Sequence, residues 1–382
     1  MSKVATTPEP RAKHRAGVFG AVVGMAAAGV AIGVAAVRAL VRRARRGRTG
    51  RSEPDPCADE PFGRLSYDEA MRVPTPDGSD VYVEVVDPVD GIELEADFAE
   101  AVTAGDRAPE PTVVFVHGFF LDMGAFHFQR KELTKRGVWR AVYYDQPGHG
   151  RSGRRSGRDY LLAELADALK AVLDETTPHG PVVLVGHSMG GMVIMAFAER
   201  YPELVAQRVA GAALIATTAG RLESGGAGLS DLIARVGRPL LPLVGGASRL
   251  TGGMVDRARR AASDLAWLLT RRYGFGGSDP SPTLVSYVEQ MNSRTTTETV
   301  ACYLRTLHGH SRYPALAALR DLPVLLICGD RDPITPVTHA EEMQRHLPDA
   351  GLVVVPESGH VVLLEHPDEV NKALLELLER VG

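Results

Sequence analysis

Short apolar runs recur along this chain, and most are separated by stretches with the spacing of an amphipathic helix. The runs are apolar at nearly every position, which is typical of strands in a sheet that is covered on both faces. Strands that alternate with helices predict a parallel, doubly wound α/β sheet. The predicted strands are residues 81–86, 112–116, 142–144, 182–185, 212–215, 324–328 and 352–355. The predicted helices are residues 125–136, 160–174, 189–200, 338–345 and 368–380.

The alternation of strands and helices stops between residues 217 and 320. This stretch contains no convincing strand, but it has several glycine pairs and leucine-rich clusters of helical character. We therefore expect a helical cap at residues 217–320, inserted between two parts of the sheet domain, residues 76–216 and 321–382.

The composition is that of an ordinary globular protein, because 45% of the 382 residues are hydrophobic and 24% are charged. Such a composition excludes a wholly disordered chain and a polytopic membrane protein. The three cysteines, Cys57, Cys302 and Cys328, are too few for a disulfide framework.

The net charge of −4 is distributed unevenly. Lys and Arg outnumber acidic residues strongly up to Arg51, where Glu9 is the only acid, whereas the rest of the chain is acidic. The acidic body argues against nucleic acid as a partner, and a basic tail beside an apolar run suits an anionic membrane surface.

Residues 16–37 carry no charge and predict an N-terminal apolar helix that anchors the chain in a membrane. A helix of this length spans about 33 Å, close to the hydrocarbon thickness of a bilayer. It lies between a basic tail, residues 1–15, and a basic, polar linker, residues 38–75. The arginines that follow the apolar run favour a body that stays in the cytoplasm. A cleaved signal that exports the body and an interfacial helix are the alternatives.

Residues 186–190, Gly-His-Ser-Met-Gly, lie between a predicted strand and a predicted helix. A turn this tight strains the backbone of Ser188 and exposes its hydroxyl, and it needs flanking glycines because a Cβ atom would collide with the turn. Ser188 is therefore a candidate nucleophile.

A serine nucleophile needs a base, and the base needs an acid that orients it. Asp330 and Asp332 follow one predicted strand and are both candidates for the acid, while His360 follows the next strand and is the candidate base. All three groups lie at the carboxyl ends of strands, where open α/β sheets place their sites.

Two backbone N–H groups, those of Phe119 and Met189, are placed to form an oxyanion hole, because they follow a strand end and the candidate nucleophile. No cofactor is implied. A metal site is not expected either, since no carboxylate or cysteine spacing completes a set with His308, His310 and Cys302.

The chain resembles the α/β-hydrolase superfamily, in its lipase, esterase and haloperoxidase-like branch. The resemblance covers about residues 81–216 and 321–382. It rests on five ordered motifs, which are His-Gly at 117–118, Asp-Gln-Pro-Gly-His-Gly-Arg-Ser at 145–152, the turn at 186–190, Gly-Asp-Arg-Asp-Pro-Ile-Thr-Pro at 329–336 and Gly-His at 359–360.

The resemblance implies that Ser188 is the nucleophile, Asp332 the acid and His360 the base. Dehalogenases and epoxide hydrolases of this fold carry Asp at the nucleophile position, so Ser188 argues against both reactions. The expected function is hydrolysis of an ester, with a lipophilic small molecule as substrate, through an acyl-enzyme. An acyltransferase, thioesterase or perhydrolase with the same triad is one alternative, and a ligand receptor on this scaffold is another.

Three further histidines are predicted to have structural roles. His117 and His149 are expected to bond to backbone groups in their own loops. His187 is expected to be a spacer that points away along the start of the helix.

Overall fold

The computed structural model describes residues 54–89, 110–154, 160–220, 264 and 266–382. Eight of the described segments form one sheet, with the strand order β1-β2-β4-β3-β5-β6-β7-β8. The strands are β1 (Glu69–Pro74), β2 (Asp80–Val86), β3 (Thr112–Val116), β4 (Ala141–Tyr144), β5 (Val182–His187), β6 (Val209–Ile215), β7 (Val324–Gly329) and β8 (Gly351–Val355). The six strands β3 to β8 run parallel to one another. Strand β2 is antiparallel to both of its neighbours, β1 and β4. The predicted doubly wound α/β sheet is therefore confirmed.

Helices follow most of the parallel strands. They are α1 (His127–Arg136), α2 (Leu162–Thr176), α3 (Met189–Arg200), α4 (Pro202–Arg208), α5 (Pro282–Arg294), α6 (Thr297–His308), α7 (Val337–His346), α8 (Val362–Glu365) and α9 (Pro367–Val381). Residues 266–274 are also helical, and 3-10 helices occupy Met123–Phe126 and Tyr313–Leu319.

The core lies on both faces of the central strands, because these strands are apolar at successive positions. All six residues of β5 are buried, and so are ten of the twelve residues of α3. Helix α2 contributes Leu165, Leu169 and Val172, whose spacing of three and four residues places them on one buried face. The carboxyl ends of β3, β5, β7 and β8 consequently meet at one edge of a rigid sheet.

Strand β1 corrects the predicted linker, residues 38–75. The segment Glu69–Pro74 pairs antiparallel with β2, from Glu69 opposite Val85 to Pro74 opposite Asp80. Only Met71 and Val73 point inward on this edge strand, and Pro74 ends it. Two inward side chains give too short an alternation to be recognised as a strand in the sequence.

The predicted cap, residues 217–320, is described at its two ends. The described part contains helices α5 and α6 and no strand. Its first and last segments meet, because the N–H of Arg312 donates a hydrogen bond to the carbonyl oxygen of Ala219, at 2.6 Å.

Several predictions lie outside the described residues. These are the basic tail 1–15, the anchor 16–37, the first part of the linker and the cap between residues 221 and 263. Across the part of the chain that the structure does describe, no helix combines the length and hydropathy needed to cross a bilayer.

Candidate active site

Ser188 occupies a strained turn between β5 and α3. Its backbone has φ = 54° and ψ = −118°, a left-handed conformation that residues with a side chain rarely adopt. The N–H of Ser188 donates to the carbonyl oxygen of Ile215 on the neighbouring strand, at 2.8 Å. The surrounding sheet therefore holds the strain at a side chain that is only half-buried.

The two glycines around Ser188 are required by close packing, as predicted. A Cβ atom on Gly186 would lie 2.6 Å from Cδ1 of Ile194 and 2.7 Å from the carbonyl carbon of Gly190. A Cβ atom on Gly190 would overlap the carbonyl oxygen of Val116 in β3. The turn is thus wedged between its own helix and the adjacent strand.

His360 connects Ser188 to a carboxylate. Its Nε2 lies 2.9 Å from the Oγ of Ser188, and its Nδ1 lies 2.8 Å from Oδ2 of Asp332. With the proton on Nδ1, His360 donates to Asp332 and accepts the hydroxyl hydrogen of Ser188. The sequence left Asp330 and Asp332 as alternative candidates for the acid. Asp332 makes this contact, whereas Asp330 accepts from the N–H of Ser358 at 3.3 Å.

Asp332 is buried and surrounded by donors. Its Oδ1 accepts the N–H groups of Ile334 and Thr335, at 2.7 and 3.0 Å, and its Oδ2 accepts the hydroxyl of Thr335 at 2.7 Å. Burial by itself raises the pKa of Asp332, but the charge of His360 and these hydrogen bonds outweigh it, so the pKa lies below its usual value. The carboxylate therefore stays ionised beside His360. The sequence reasoning missed Thr335, although it belongs to the motif at residues 329–336.

The candidate oxyanion hole lies where β3 faces the start of α3. A Cβ atom on Gly118 would be 3.0 Å from the Cβ of Ser188, so the loop after β3 packs directly against the turn. The N–H of Phe120 donates to Nε2 of His149, at 3.3 Å. The N–H groups of Phe119 and Met189 have no acceptor among the residues that the structure describes. Met189 also begins α3, so the helix dipole favours negative charge at this point.

His117 and His149 bond to backbone groups, as predicted. Nε2 of His117 accepts the N–H of Gln146 and its Nδ1 donates to the carbonyl oxygen of Gly118, both at 2.8 Å. Burial lowers the pKa of His117 to about 4 and that of His149 to about 3. Both rings are therefore neutral near pH 7 and hold the loops that carry the candidate oxyanion hole.

The loop at residues 145–152 is organised by a buried carboxylate. Asp145 accepts the N–H of Met123 at 2.9 Å and the N–H of Arg151 at 2.7 Å. Burial, followed by the charge of Asp122, raises the pKa of Asp145 to about 7. The residue joins the start of the first 3-10 helix to its own loop and lies outside the chain of contacts around Ser188.

The expectation for His187 was wrong. Its ring does not point away along the helix but is fully buried, and its Nε2 lies 2.9 Å from the carbonyl oxygen of His360. Burial, and to a lesser extent the charge of His360, lowers the pKa of His187 to about 3. A neutral His187 therefore donates from Nε2 to the backbone of His360, a contact that no local sequence signal could reveal.

The residues weighed as a metal cluster do not converge as ligands where they are described. Nε2 of His310 lies 2.8 Å from the carbonyl oxygen of Thr218, and Cys302 is buried. No grouping of three or more metal-binding side chains occurs within the described ranges.

The arrangement can take a proton from a serine hydroxyl and stabilise the imidazolium that results. An imidazole touches the hydroxyl, a carboxylate with a lowered pKa touches the imidazole, and the hydroxyl lies at the N-terminus of α3. Such a site can activate Ser188 for attack on an electrophilic carbon that develops negative charge on oxygen.

Comparisons with known proteins agree with the fold. A family model for the alpha/beta hydrolase fold matches residues 111–367. A pimeloyl-[acyl-carrier protein] methyl ester esterase of Nitrosomonas europaea is 30% identical over 262 residues, which cover 68% of this chain and 92% of that protein. The dihydrolipoyllysine-residue acetyltransferase component of an acetoin cleaving system of Pseudomonas putida is also 30% identical, over 70% of this chain but only 63% of that protein.

Among solved structures, a thermophilic esterase from Thermogutta terrifontis superimposes with a TM-score of 0.60 and 25% sequence identity. The match covers 82% of this chain and 99% of the esterase. The family model alone spans more than half of the chain. This chain therefore belongs to the α/β-hydrolase superfamily of enzymes.

Proposed function

We propose that this enzyme hydrolyses carboxylic esters through an acyl-enzyme on Ser188. The observation that carries the proposal is the unbroken chain of contacts from Ser188 through His360 to Asp332, with distances of 2.9 and 2.8 Å. In this proposal Ser188 is the nucleophile, His360 the general base and then the general acid, and Asp332 the group that orients His360.

The first half of the reaction transfers the acyl group to the enzyme. Oγ of Ser188 attacks the ester carbonyl carbon while Nε2 of His360 takes the hydroxyl proton. The N–H groups of Phe119 and Met189 then donate hydrogen bonds to the oxyanion of the tetrahedral intermediate. When the intermediate collapses, the bond to the alcohol oxygen breaks and His360 gives its proton to the departing alcohol.

The second half releases the acid. Nε2 of His360 takes a proton from water as the water oxygen attacks the acyl carbon, and a second oxyanion forms between the same two amides. Collapse of this intermediate breaks the bond to Oγ of Ser188, and His360 returns the proton to that oxygen. The enzyme is regenerated, and Asp332 stabilises the imidazolium in both halves without itself taking a proton.

The comparisons support an ester as the substrate class. One relative is named as a methyl ester esterase, and the solved structure that matches is named as an esterase. We further propose a lipophilic acyl group. This part rests on the predicted membrane anchor at residues 16–37, which would hold the enzyme where lipophilic esters dissolve.

A fluorophosphonate probe tests the nucleophile, since it phosphonylates only an activated serine. We expect one adduct on Ser188, identified by mass mapping, and none in Ser188→Ala or His360→Ala. The same two variants should lose at least about four orders of magnitude in kcat on p-nitrophenyl butyrate.

Ser293→Ala is the matched control. Ser293 is an exposed serine on α5 whose hydroxyl donates to the carbonyl oxygen of Gln290, so both labelling and kcat should be unchanged. A folded wild-type protein that takes no label on Ser188 would contradict the proposal. Hydrolysis of acetate much faster than octanoate, at equal solubility of the p-nitrophenyl esters, would contradict the lipophilic acyl group alone.

A further inference from the structure

The loop that carries His360 lies against residues 274–277, which belong to the predicted cap. The N–H of Val361 donates to the carbonyl oxygen of Gly274, at 2.9 Å. A Cβ atom on Gly359 would lie 2.5 Å from the carbonyl carbon of Phe275 and 2.6 Å from the N of Gly276. The two backbones therefore touch at a point with no space for a side chain, one residue before the base.

Glu365, the last residue of α8, connects these two backbones. Its Oε1 accepts the N–H of Gly277 at 2.7 Å, and its Oε2 accepts the N–H of Gly359 at 2.7 Å. The N–H of Gly276 lies 3.0 Å from both oxygens. One carboxylate thus accepts three backbone donors, two from the cap segment and one from the loop of His360.

This carboxylate is not a second acid for the base. Nδ1 of His360 is occupied by Asp332, and both oxygens of Glu365 are occupied by backbone donors. Hydrogen bonds to a charged acceptor are about twice as strong as neutral ones, so Glu365 fixes the amide before His360 firmly. The carbonyl oxygen on the other side of His360 is held by His187.

We propose that Glu365 is a positioning residue, which keeps His360 in reach of Ser188 by clamping the loop of the base to the cap segment 274–277. The inference rests on the proposed role of His360 as the base. Its consequence is that the position of the base depends on the docking of the cap. A displacement of residues 274–277 removes the N–H groups of Gly276 and Gly277 from Glu365. Glu365 then no longer holds Gly359 in place, and the imidazole loses its alignment with Oγ of Ser188.

The test compares Glu365→Gln with Glu357→Gln in the full-length protein. An amide side chain has one acceptor oxygen and an NH₂ group that only donates, so Glu365→Gln leaves the N–H of either Gly277 or Gly359 facing a group that cannot accept it. Glu357 is a matched control because it lies in the same loop but is exposed and pairs with Arg331 at 2.7 Å. The readouts are kcat and KM on p-nitrophenyl butyrate, the rate of phosphonylation at saturating probe, and hydrogen exchange of the amides.

We expect kcat and the phosphonylation rate of Glu365→Gln to fall together by about 10- to 100-fold, as for a reacting group that is slightly misplaced. KM should stay within about two-fold, and the amides of Gly276, Gly277 and Gly359 should exchange faster as a group. Glu357→Gln should match the wild type in every readout.

Unchanged phosphonylation in Glu365→Gln would overturn the positioning role, and so would an equal loss in Glu357→Gln. A Glu365→Gln protein that does not fold would also overturn it in favour of a purely structural role. If the wild type takes no label on Ser188, the proposed function fails instead. The exchange rates of the three amides still decide whether Glu365 joins the two segments.

Discussion

Ser188 and His360 each follow a strand at the same edge of the sheet, yet the two residues are held in different ways. The turn of Ser188 is fixed by its own strand and helix and by neighbouring β3, with Gly190 against the carbonyl of Val116. The loop of His360 is fixed by His187 and Gly276, which are far away in the chain, and by the nearby Glu365, which joins the loop to Gly276. Ser188 is therefore positioned by the sheet and the helix that follows it, whereas His360 also depends on contacts with the cap segment.

This difference predicts separate responses to substitution. A side chain added at a glycine of the turn of Ser188 disturbs the centre of the sheet and should destabilise the protein. A change at Gly359 in the loop of His360 disturbs the contact between that loop and the cap segment, and it should reduce activity more than stability.

The largest effect is expected from Gly190→Ala. The new Cβ atom would overlap the carbonyl oxygen of Val116 and lie 3.0 Å from the carbonyl oxygen of His117, and neither buried backbone group can move. We expect a loss of at least about 3 kcal/mol in the free energy of unfolding, measured by urea denaturation. Gly351→Ala, whose Cβ would be 3.7 Å from Cδ1 of Leu325, is the control and should stay within about 1 kcal/mol. Equal stability of the two variants would refute close packing of the turn against β3.

Gly359→Ala should separate activity from stability. Its Cβ atom would meet Gly274 and Phe275 across the contact with the cap, and the loop can relieve the clash by moving away. We expect kcat on p-nitrophenyl butyrate to fall by about 10- to 100-fold while the free energy of unfolding falls by less than about 2 kcal/mol. Gly274→Ala faces the same contact, but its Cβ would lie 3.6 Å from Cγ2 of Val361, so it should retain kcat. A Gly359→Ala protein destabilised as much as Gly190→Ala would remove the distinction between the two regions.

The smallest effect concerns His187, which links the two regions. Its pKa is about 3 in the fold and near 6.5 in the unfolded chain, so the unfolded chain binds more protons between these values. Stability from this residue is complete above pH 6.5 and decreases as the pH falls towards 3.

We therefore expect the wild type to lose about 2 kcal/mol more than His187→Gln when the pH is lowered from 7 to 5. Urea denaturation at both pH values measures the difference. The other buried histidines contribute equally to both proteins. Parallel pH profiles would show that His187 does not stay neutral in the fold.

The contrast also explains how far the sequence could predict this molecule. The strand, turn and helix around Ser188 are encoded within about twenty residues, and the predicted helix at 189–200 has the observed bounds. The edge strand β1 was missed because half-burial leaves only Met71 and Val73 as inward residues. The role of His187 was missed because its partner is 173 residues away in the chain.

The choice between Asp330 and Asp332 could be predicted only in part. Both follow β7, and the pattern of the residues alone did not separate them; the resemblance to a family did. In the structure, the N–H groups of Ile334 and Thr335 donate to Asp332 and hold it beside His360. Asp330 instead accepts from the N–H of Ser358. The local turn after the strand, rather than the strand itself, therefore decides which carboxylate reaches the imidazole.

The hydrogen bond between Arg312 and Ala219 has a consequence for how such enzymes diversify. Residues 219 and 312 lie side by side, so the segment between them leaves the sheet domain and returns to it at one point. The two ends are as close as the ends of a short loop. Doubling the length of a flexible loop costs only about 0.6 kcal/mol in closure entropy. Insertions and deletions in this segment can therefore accumulate at little entropic cost where residues 274–277 keep their contact with the loop of His360, so substrate preference can evolve without rebuilding the sheet edge.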